Sequence, residues 1–292
     1  MNKKLCNFVC LKLRPMMKRI VLLSLLVILP FMTRAQQKFT LQDAGEEREY
    51  YLFVPDSLGP HRSLVFILHG YGGKAEGYFP EMHRAAQKYG FILCYPQGLK
   101  APQGKTGWNV GYPKQAGWEQ DDVAFIINLQ DHLIKEYNIK NSFFSGMSNG
   151  GEMCYIMAYK HPERFNAICS LAGLTMEWLY TGPKPVGPVP FMEIHGTADK
   201  TSYWQGDPEN QGGWGKYVAV PLAVGRMASI NNCTHEVCDT LPQIRNVVIK
   251  HIFKGDGPEV RLYEIKNGKH AIGNKDLDVP EEMWSFFKQY IK

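Results

Sequence analysis

Ser148 has the local sequence of a serine nucleophile. It stands at the centre of a Gly-Met-Ser-Asn-Gly segment (146–150) that matches the pattern G-x-S-x-G. The residues before it predict a strand over 142–145, and those after it predict a helix over 150–159. A serine at such a strand-to-helix turn exposes its hydroxyl above the sheet, and the two glycines leave room for the tight backbone. This setting favours a nucleophile over the alternative, a glycine-rich turn with a bystander serine.

His270 is the predicted base for this serine. A serine hydroxyl is a poor nucleophile until a base accepts its proton, and the acid and then the histidine follow such a serine along the chain. His270 lies in a glycine-containing loop between the last predicted strand and the last predicted helix, from which it can reach back over the sheet. Four other histidines follow Ser148 and are interpreted as structural or surface residues: His161, His195, His235 and His251.

Asp199 is the predicted acid, because it comes just after the strand predicted over 191–194. A carboxylate there can accept a hydrogen bond from the imidazole, fix its tautomer and stabilise the imidazolium. The alternative is an aspartate that only forms the turn. The other aspartates either lie in loops that no predicted strand frames or follow the histidine and break the order: Asp207, Asp239, Asp256, Asp276 and Asp278.

The same chemistry needs two backbone N–H groups that stabilise a developing oxyanion. One is predicted to come from Asn149, the residue after the nucleophile. The other is predicted to come from Tyr71 or Gly72, in the His-Gly-Tyr-Gly-Gly segment (69–73) after the strand predicted over 64–68. Loss of one such donor typically lowers the rate by about 10² to 10³.

The elements that must position these residues alternate between short apolar runs and helical patterns. Continuous apolar strands between helices are typical of a parallel sheet that is covered on both faces. The sequence therefore predicts an α/β fold, and a chain of this length with 45% apolar residues suits one domain over 36–292. The predicted strands are 50–54, 64–68, 91–95, 142–145, 167–171, 191–194 and 260–265, and the predicted helices are 81–89, 121–137, 150–159 and 280–291.

Four motifs together resemble a known family: HGYGG at 69–73, GMSNGG at 146–151, IHGTAD at 194–199 and the glycine before His270. They are similar to motifs of the secreted esterases of the α/β-hydrolase superfamily. The most similar group joins feruloyl esterases of carbohydrate esterase family one with polyhydroxybutyrate-depolymerase-like esterases. The resemblance extends over about 48–291 and includes YPQG at 95–98, WN at 108–109 and DDV at 121–123.

This resemblance implies an α/β-hydrolase fold, a mostly parallel central sheet with helices on both faces. It also implies Ser148 as nucleophile, Asp199 as acid and His270 as base of a secreted serine carboxylesterase, with feruloyl esters on plant cell-wall polysaccharide as the expected substrates. The segment around His270 departs from the family, which often has more glycines and an aromatic residue there. Acetyl-xylan esterase, polyester hydrolase and serine peptidase are the enzymatic alternatives, and a non-catalytic carbohydrate-binding protein is an alternative of another class.

Aromatic residues in the long predicted loops are candidates for contact with a substrate ring. We predict such contacts for Trp108, Tyr203 and Trp204, although large loops also need aromatic residues for their own packing. The sequence contains no dinucleotide-binding, P-loop or HExxH motif, so no cofactor and no metal site is expected.

Five cysteines follow position 35. Three lie in apolar runs and are predicted to be buried thiols: Cys94, Cys154 and Cys169. Cys233 and Cys238 lie in a predicted polar loop and are the best candidates for a local disulfide. Together with His235 they match a zinc site only weakly.

Residues 1–35 have the composition of an export signal. They contain seven lysines or arginines and no acidic residue, and an apolar run over 20–32 precedes Thr-Arg-Ala at 33–35. Cleavage is expected after Ala35, with export to the periplasm or the medium and no stable membrane association afterwards; Met16 or Met17 is an alternative start. The remaining 26 basic and 28 acidic residues give a charge of −2, so no nucleic-acid partner is expected. The expected partner is an ester, free or on polysaccharide, and the expected assembly is a monomer or small homo-oligomer.

Overall fold

The central element of the fold is a ten-stranded sheet with a parallel middle and antiparallel edges. The structure is a computed structural model that describes residues 36–292, apart from the side chain of Asn274. The strand order is β1-β2-β4-β3-β5-β6-β8-β12-β11-β10, and the pairings from β4 through β12 are parallel. The predicted α/β fold is therefore confirmed, whereas the predicted export signal lies outside the described residues. Within 36–292 no helix has the length and apolar character needed to cross a membrane.

The strands of the described chain are β1 Gln37–Asp43, β2 Glu46–Phe53, β3 Ser63–Leu68, β4 Ile92–Pro96, β5 Asn141–Met147, β6 Ala167–Leu171, β7 Thr175–Met176, β8 Phe191–Gly196, β9 Tyr217–Val218, β10 Cys233–Thr240, β11 Val248–Gly255 and β12 Val260–Ile265. Its α-helices are α1 Glu81–Tyr89, α2 Asp122–Tyr137, α3 Asn149–Lys160, α4 Glu177–Thr181, α5 Val220–Ile230 and α6 Val279–Phe287. The short strands β7 and β9 pair with each other outside the main sheet.

Helices cover both faces of the sheet, which explains the continuous apolar strands. On β3, Leu64 and Phe66 pack into the core shared with α2, α3 and α5. Val65 and Ile67 point the other way, into the core shared with α1 and α6. Because successive side chains of a strand face opposite sides of the sheet, a strand covered on both faces has no polar side.

The predicted elements of the middle of the sheet are confirmed, but the edge beyond β12 was predicted wrongly. The segment with Cys233 and Cys238 is the strand β10 and not a loop, and the two thiols form no disulfide. Cys233 points to the carbonyl groups of Phe253 and Pro258, whereas Cys238 is exposed. The prediction of three buried thiols is confirmed for Cys94, Cys154 and Cys169.

A buried ion pair connects the antiparallel edge of the sheet to helix α2. Arg48 on β2 donates to the carboxylate of Asp122, the first residue of α2, at 2.8 Å, and both side chains are excluded from solvent. The guanidinium also lies over the Phe125 ring, 3.7 Å from its centre. The second oxygen of Asp122 accepts from the backbone N–H of Asn109 at 2.7 Å. The ion pair and this hydrogen bond thus link β2 and α2 to the loop that carries Trp108.

Replacing Arg48 with methionine should lower the free energy of unfolding by about 3 to 5 kcal/mol, because Asp122 would stay buried without its cation. Urea denaturation measures the change. The control is Lys38→Met, which removes an exposed ion pair between Lys38 on β1 and Glu49 on β2 and should change stability little. Equal losses in the two variants would contradict the prediction.

Candidate active site

Ser148 occupies the turn between β5 and α3 in a strained backbone conformation. Its φ is +55° and its ψ is −121°, a region that side-chain-bearing residues rarely adopt. The flanking glycines permit this turn, because a Cβ at Gly146 would lie 2.5 Å from the carbonyl of Gly150, and a Cβ at Gly150 would lie 2.6 Å from the carbonyl oxygen of Leu68. The strand, turn and helix predicted around this serine are therefore present.

His270 and Asp199 are in direct contact. Nδ1 of His270 lies 2.7 Å from Oδ2 of Asp199, so the ring donates to the carboxylate and leaves Nε2 without that proton. The other oxygen of Asp199 accepts from the backbone N–H groups of Thr201 and Ser202 at 2.7 and 2.8 Å. The carboxylate is buried and the imidazole is partly exposed. This arrangement fixes the tautomer that can accept a proton at Nε2.

The loops after β8 and β12, which carry these two residues, are held against each other. The N–H of Ala198 donates to the carbonyl of Gly268 at 2.9 Å, and the N–H of Asn267 donates to the hydroxyl of Thr197 at 2.8 Å. The backbones approach so closely that a Cβ at Gly196 would lie 2.3 Å from the Gly268 oxygen. The relative position of acid and histidine is therefore set by backbone contacts.

Ser148 lies at the same edge of the sheet as this pair. β5, β8 and β12 are parallel members of one sheet, so the residues after them emerge at its carboxyl edge. The Ser148 N–H donates to the carbonyl of Leu171, the last residue of β6, and the N–H of Ala172 donates to Ile194 on β8. The predicted nucleophile, acid and base thus belong to one edge, and such an edge can support acyl transfer through a serine.

The loop after β3 passes directly over the serine. A Cβ at Gly70 would lie 3.3 Å from Cβ and 3.8 Å from Oγ of Ser148. The N–H of Gly72 already donates to the carbonyl of Thr106 at 2.7 Å, whereas no backbone carbonyl of the described chain accepts from Tyr71. The N–H of Asn149 is in the first turn of α3, where no intrahelical acceptor exists. Of the two predicted alternatives, the geometry therefore favours Tyr71 over Gly72.

His69 holds this loop in place. Its Nδ1 lies 2.8 Å from the carbonyl oxygen of Gly70, and its Nε2 accepts from the N–H of Gly98 at 3.0 Å. Burial lowers the pKa of His69 to about 4, so the ring is neutral at physiological pH and keeps this single tautomer.

Comparison with known proteins finds relatives that are named as esterases. No protein-family model matches the chain. The chain is 32% identical to feruloyl esterase B of Neurospora crassa over 132 residues, which are 42% of this chain and 43% of that protein. It is 31% identical to acetylxylan esterase A of Talaromyces purpureogenus over 138 residues, or 45% and 35% of the two chains. The chain spans about half or less of the length of such curated relatives.

Solved structures decide the fold. An acetyl xylan esterase from Aspergillus awamori superposes with a TM-score of 0.59 at 18% identity, covering 86% of this chain and 98% of that chain. An α/β serine hydrolase without a lid from Xanthomonas campestris superposes with a TM-score of 0.52 at 12% identity, covering 88% and 95%. The chain has the α/β-hydrolase fold.

Two of the three aromatic residues predicted to contact substrate are buried in the core of the fold. Trp108 is completely buried; its indole N–H donates to the His69 carbonyl, and its backbone bonds to the Asn149 side chain. Trp204 is buried beside His195. Trp108 has no exposed surface, so the prediction that it contacts substrate is wrong. Trp204 is 9% exposed, and its contact with substrate stays a prediction. Tyr203 is half-buried and remains a candidate.

A buried histidine beneath the acid was interpreted from the sequence as structural only. Nδ1 of His195 lies 3.0 Å from the Glu193 carboxylate, Nε2 lies 2.8 Å from the carbonyl of Ser202, and Nε2 is 3.6 Å from Oδ2 of Asp199. Burial alone would lower the pKa of His195, but the hydrogen bond to Glu193 raises it. A protonated ring there would support the negative charge of Asp199. The sequence I-H-G-T-A-D places His195 four residues before Asp199, but it does not predict the contacts of His195 with Glu193 and Ser202.

The choice of Tyr71 as oxyanion donor predicts a large difference between two substitutions. Tyr71→Pro removes the N–H and should lower kcat by about 10² to 10³. Tyr71→Ala removes the ring but keeps the N–H, so its kcat for a small ester should change much less. Steady-state kinetics with p-nitrophenyl acetate and a thermal melt of each variant make the comparison. Similar kcat values in two folded variants would refute the assignment.

Glu152 brings a buried carboxyl into the helix that follows the nucleophile. Burial raises its pKa to about 8, against the smaller opposing effects of Tyr112, Asn149 and Lys114. Because this pKa is higher in the folded state than in the unfolded state, folding favours the protonated carboxyl. The resulting contribution to stability is complete below the unfolded pKa of 4.5 and is lost as the pH rises to the folded pKa of about 8.

Glu152→Gln should therefore remove a pH dependence of stability. The wild-type melting temperature should fall relative to that of the variant as the pH rises from about 5 to about 8. Thermal denaturation across this range measures the difference. Glu177→Gln, which alters an exposed glutamate of α4, is the control and should follow the wild type. A constant difference between Glu152→Gln and the wild type would contradict the raised pKa.

Proposed function

We propose that this α/β-hydrolase is a serine esterase that cleaves ester bonds on plant polysaccharide. The observation that carries the proposal is the His270–Asp199 hydrogen bond at the sheet edge where Ser148 occupies the strained turn. A structural histidine and aspartate would not need a tautomer that leaves Nε2 ready to accept a proton. The names of the curated relatives, acetylxylan esterase and feruloyl esterase, support the substrate class.

In this proposal Oγ of Ser148 attacks the ester carbonyl carbon while Nε2 of His270 accepts the hydroxyl proton. The backbone N–H groups of Tyr71 and Asn149 stabilise the oxyanion. Asp199 stabilises the imidazolium, which then protonates the leaving alcohol and leaves an acyl group on the serine. Water, activated by His270, attacks the acyl-enzyme, and the carboxylic acid is released.

Feruloyl esters are the proposed preferred substrates, with acetyl groups on xylan as the second candidate. The Tyr71 ring, half-buried in the loop over Ser148, packs edge-on against Trp214 with ring centres 5.6 Å apart. An aromatic ring on the loop over Ser148 would suit a phenolic acyl group more than an acetyl group. The second candidate is supported by the relatives named acetylxylan esterase.

A substrate panel on the purified protein tests the proposal. We expect methyl ferulate to give a higher kcat/KM than acetylated xylan, hydroxybutyrate oligomers or a peptide anilide. A preference for acetylated xylan would establish the second candidate, and a preference for either of the last two would replace both. Absence of turnover together with absence of fluorophosphonate labelling at Ser148 would favour a non-catalytic carbohydrate-binding protein.

We also propose that the protein is exported and cleaved after Ala35. The basic and apolar composition of residues 1–35 supports this. Expression in a bacterial host, separation of cell fractions and amino-terminal sequencing test the proposal. A chain that keeps residues 1–35 and stays in the cytoplasm would contradict it.

A further inference from the structure

Three side chains with metal-binding atoms meet on the outer strands of the sheet, away from the site described above. Glu236 and Cys238 are two residues apart on β10 and therefore share one face of the strand. His251 on β11 lies directly opposite Cys238 in the antiparallel register. Cys238 is exposed, and the Glu236 and His251 side chains are 40% and 20% exposed.

The three donor atoms lie close enough together to share one ion. Oε1 of Glu236 is 2.5 Å from Nδ1 of His251 and 3.2 Å from Sγ of Cys238, and the sulfur is 3.4 Å from the same nitrogen. The circle through these three atoms has a radius of about 1.8 Å, slightly below the zinc bond lengths of about 2.0 Å to oxygen or nitrogen and about 2.3 Å to sulfur. An ion outside their plane can therefore approach bonding distance from each, once the Glu236 and His251 side chains separate enough to open the ligand angle toward the tetrahedral value.

The histidine is also oriented as a metal ligand would be. Its second nitrogen, Nε2, lies 3.3 Å from the carboxylate of Glu264 on β12. Histidine ligands of metals commonly donate their other N–H to a carboxylate, which fixes the ring and increases its basicity. Glu264 is in turn paired with Lys266 at 2.5 Å. The contact between His251 and Glu264 uses none of the three ligand atoms, and it also fits a metal-binding role for His251.

We propose that Glu236, Cys238 and His251 form a zinc-binding site, with water as the fourth ligand. A thiolate, an imidazole and a carboxylate are the donors that Zn²⁺ accepts in tetrahedral sites, whereas Mg²⁺ and Ca²⁺ prefer oxygen alone. The weak sequence match that paired Cys233 with Cys238 and His235 is not this site, because Cys233 bonds toward Phe253 and Pro258. Only the pairing of β10 with β11 brings the actual donors together.

The proposed ion would stabilise the outer edge of the sheet. Seven of the eight residues of β10 are exposed, so little apolar burial holds this strand to β11. A ligand that binds only the folded state stabilises that state. Once the ligand concentration exceeds Kd, the stabilisation grows with the logarithm of the ratio of concentration to Kd. Zinc would thus fasten β10 to β11 in the regular stretch that follows the register irregularity between Cys233 and His235.

Zinc titration of the purified, chelator-treated protein tests the proposal, with calorimetry and a thermal melt as readouts. We expect one ion per chain and a higher melting temperature with zinc. Cys238→Ser should weaken binding by about 100-fold or more, and Glu264→Gln by about 10- to 100-fold. His235→Gln, an exposed histidine on the other face of β10, is the matched control and should bind as the wild type does.

Cobalt gives a second readout that identifies the sulfur ligand. Co²⁺ bound to the wild type should show a thiolate-to-metal charge-transfer band that Cys238→Ser lacks. Without metal, Cys238→Ser should have the same melting temperature as the wild type and should keep ester hydrolysis. A loss of zinc binding in this variant then cannot be explained by a loss of fold. Absence of zinc binding to the wild type, or equal affinity in Cys238→Ser, would overturn the proposal.

Discussion

Replacing Ser148 with alanine is expected to lower kcat for p-nitrophenyl acetate by about 10⁴-fold or more, because no other group then supplies the attacking oxygen. The backbone of the turn is held by the Ser148 N–H bond to Leu171 and by the close packing of Gly146 and Gly150, so the fold should survive. Enzyme kinetics, mass spectrometry of fluorophosphonate adducts and a thermal melt give the three measurements.

Two further variants sharpen this test. Ser229→Ala changes an exposed serine of α5 and should leave both kcat and labelling unchanged. Ser148→Gly should also abolish turnover, but it should be more stable than Ser148→Ala by about 1 kcal/mol, since glycine accepts the φ of +55° without steric cost. Substantial turnover by folded Ser148→Ala would remove the serine from the mechanism.

Replacing Asp199 with asparagine is expected to lower kcat by about 10⁴-fold with little change in shape. The N–H groups of Thr201 and Ser202 hold one oxygen of this side chain, so the asparagine oxygen will take that position. Its NH₂ group then faces Nδ1 of His270, which must accept and no longer donate. The proton moves to Nε2, and the ring cannot accept the proton of Ser148.

Asp207→Asn is the matched control for this substitution. The Asp207 carboxylate also accepts two backbone N–H groups, from Gln211 and Gly212, but no histidine is bonded to it. Its hydrolysis of p-nitrophenyl acetate should therefore stay near the wild-type rate. If Asp199→Asn kept the wild-type kcat, or if both variants lost activity equally, the proposed role of Asp199 would be wrong.

Hydrophobic pattern predicted the middle of the fold well and its edges poorly. The strand β6 is buried on both faces and largely apolar, and its predicted bounds agree with the structure. The bounds of β12 also agree, because its sequence VRLYEI alternates as a strand does. The strand β10 covers no core and has the polar sequence CTHEVCDT, which gives no apolar signal. The helix α5 contains a proline in its first turn and a glycine, and its pattern was too irregular to predict.

The order of serine, acid and histidine along the chain was sufficient to select the candidate site. Contacts between distant segments were not accessible in that way. The choice between Tyr71 and Gly72 depends on a bond from Gly72 to Thr106, and the burial of Trp108 depends on its contact with His69. Composition shows which residue types could act, but only the folded chain shows which of their groups already have partners.

The backbone bonds between the loops after β8 and β12 have a consequence for protein engineering. Because Thr197 and Ala198 bond directly to Asn267 and Gly268, an insertion in either loop would separate the acid from the base. A graft from another enzyme would have to carry both loops together. Libraries that aim at new ester preferences are better directed at residues 102–105. This stretch is exposed, and changes there leave the bonds between the two loops intact.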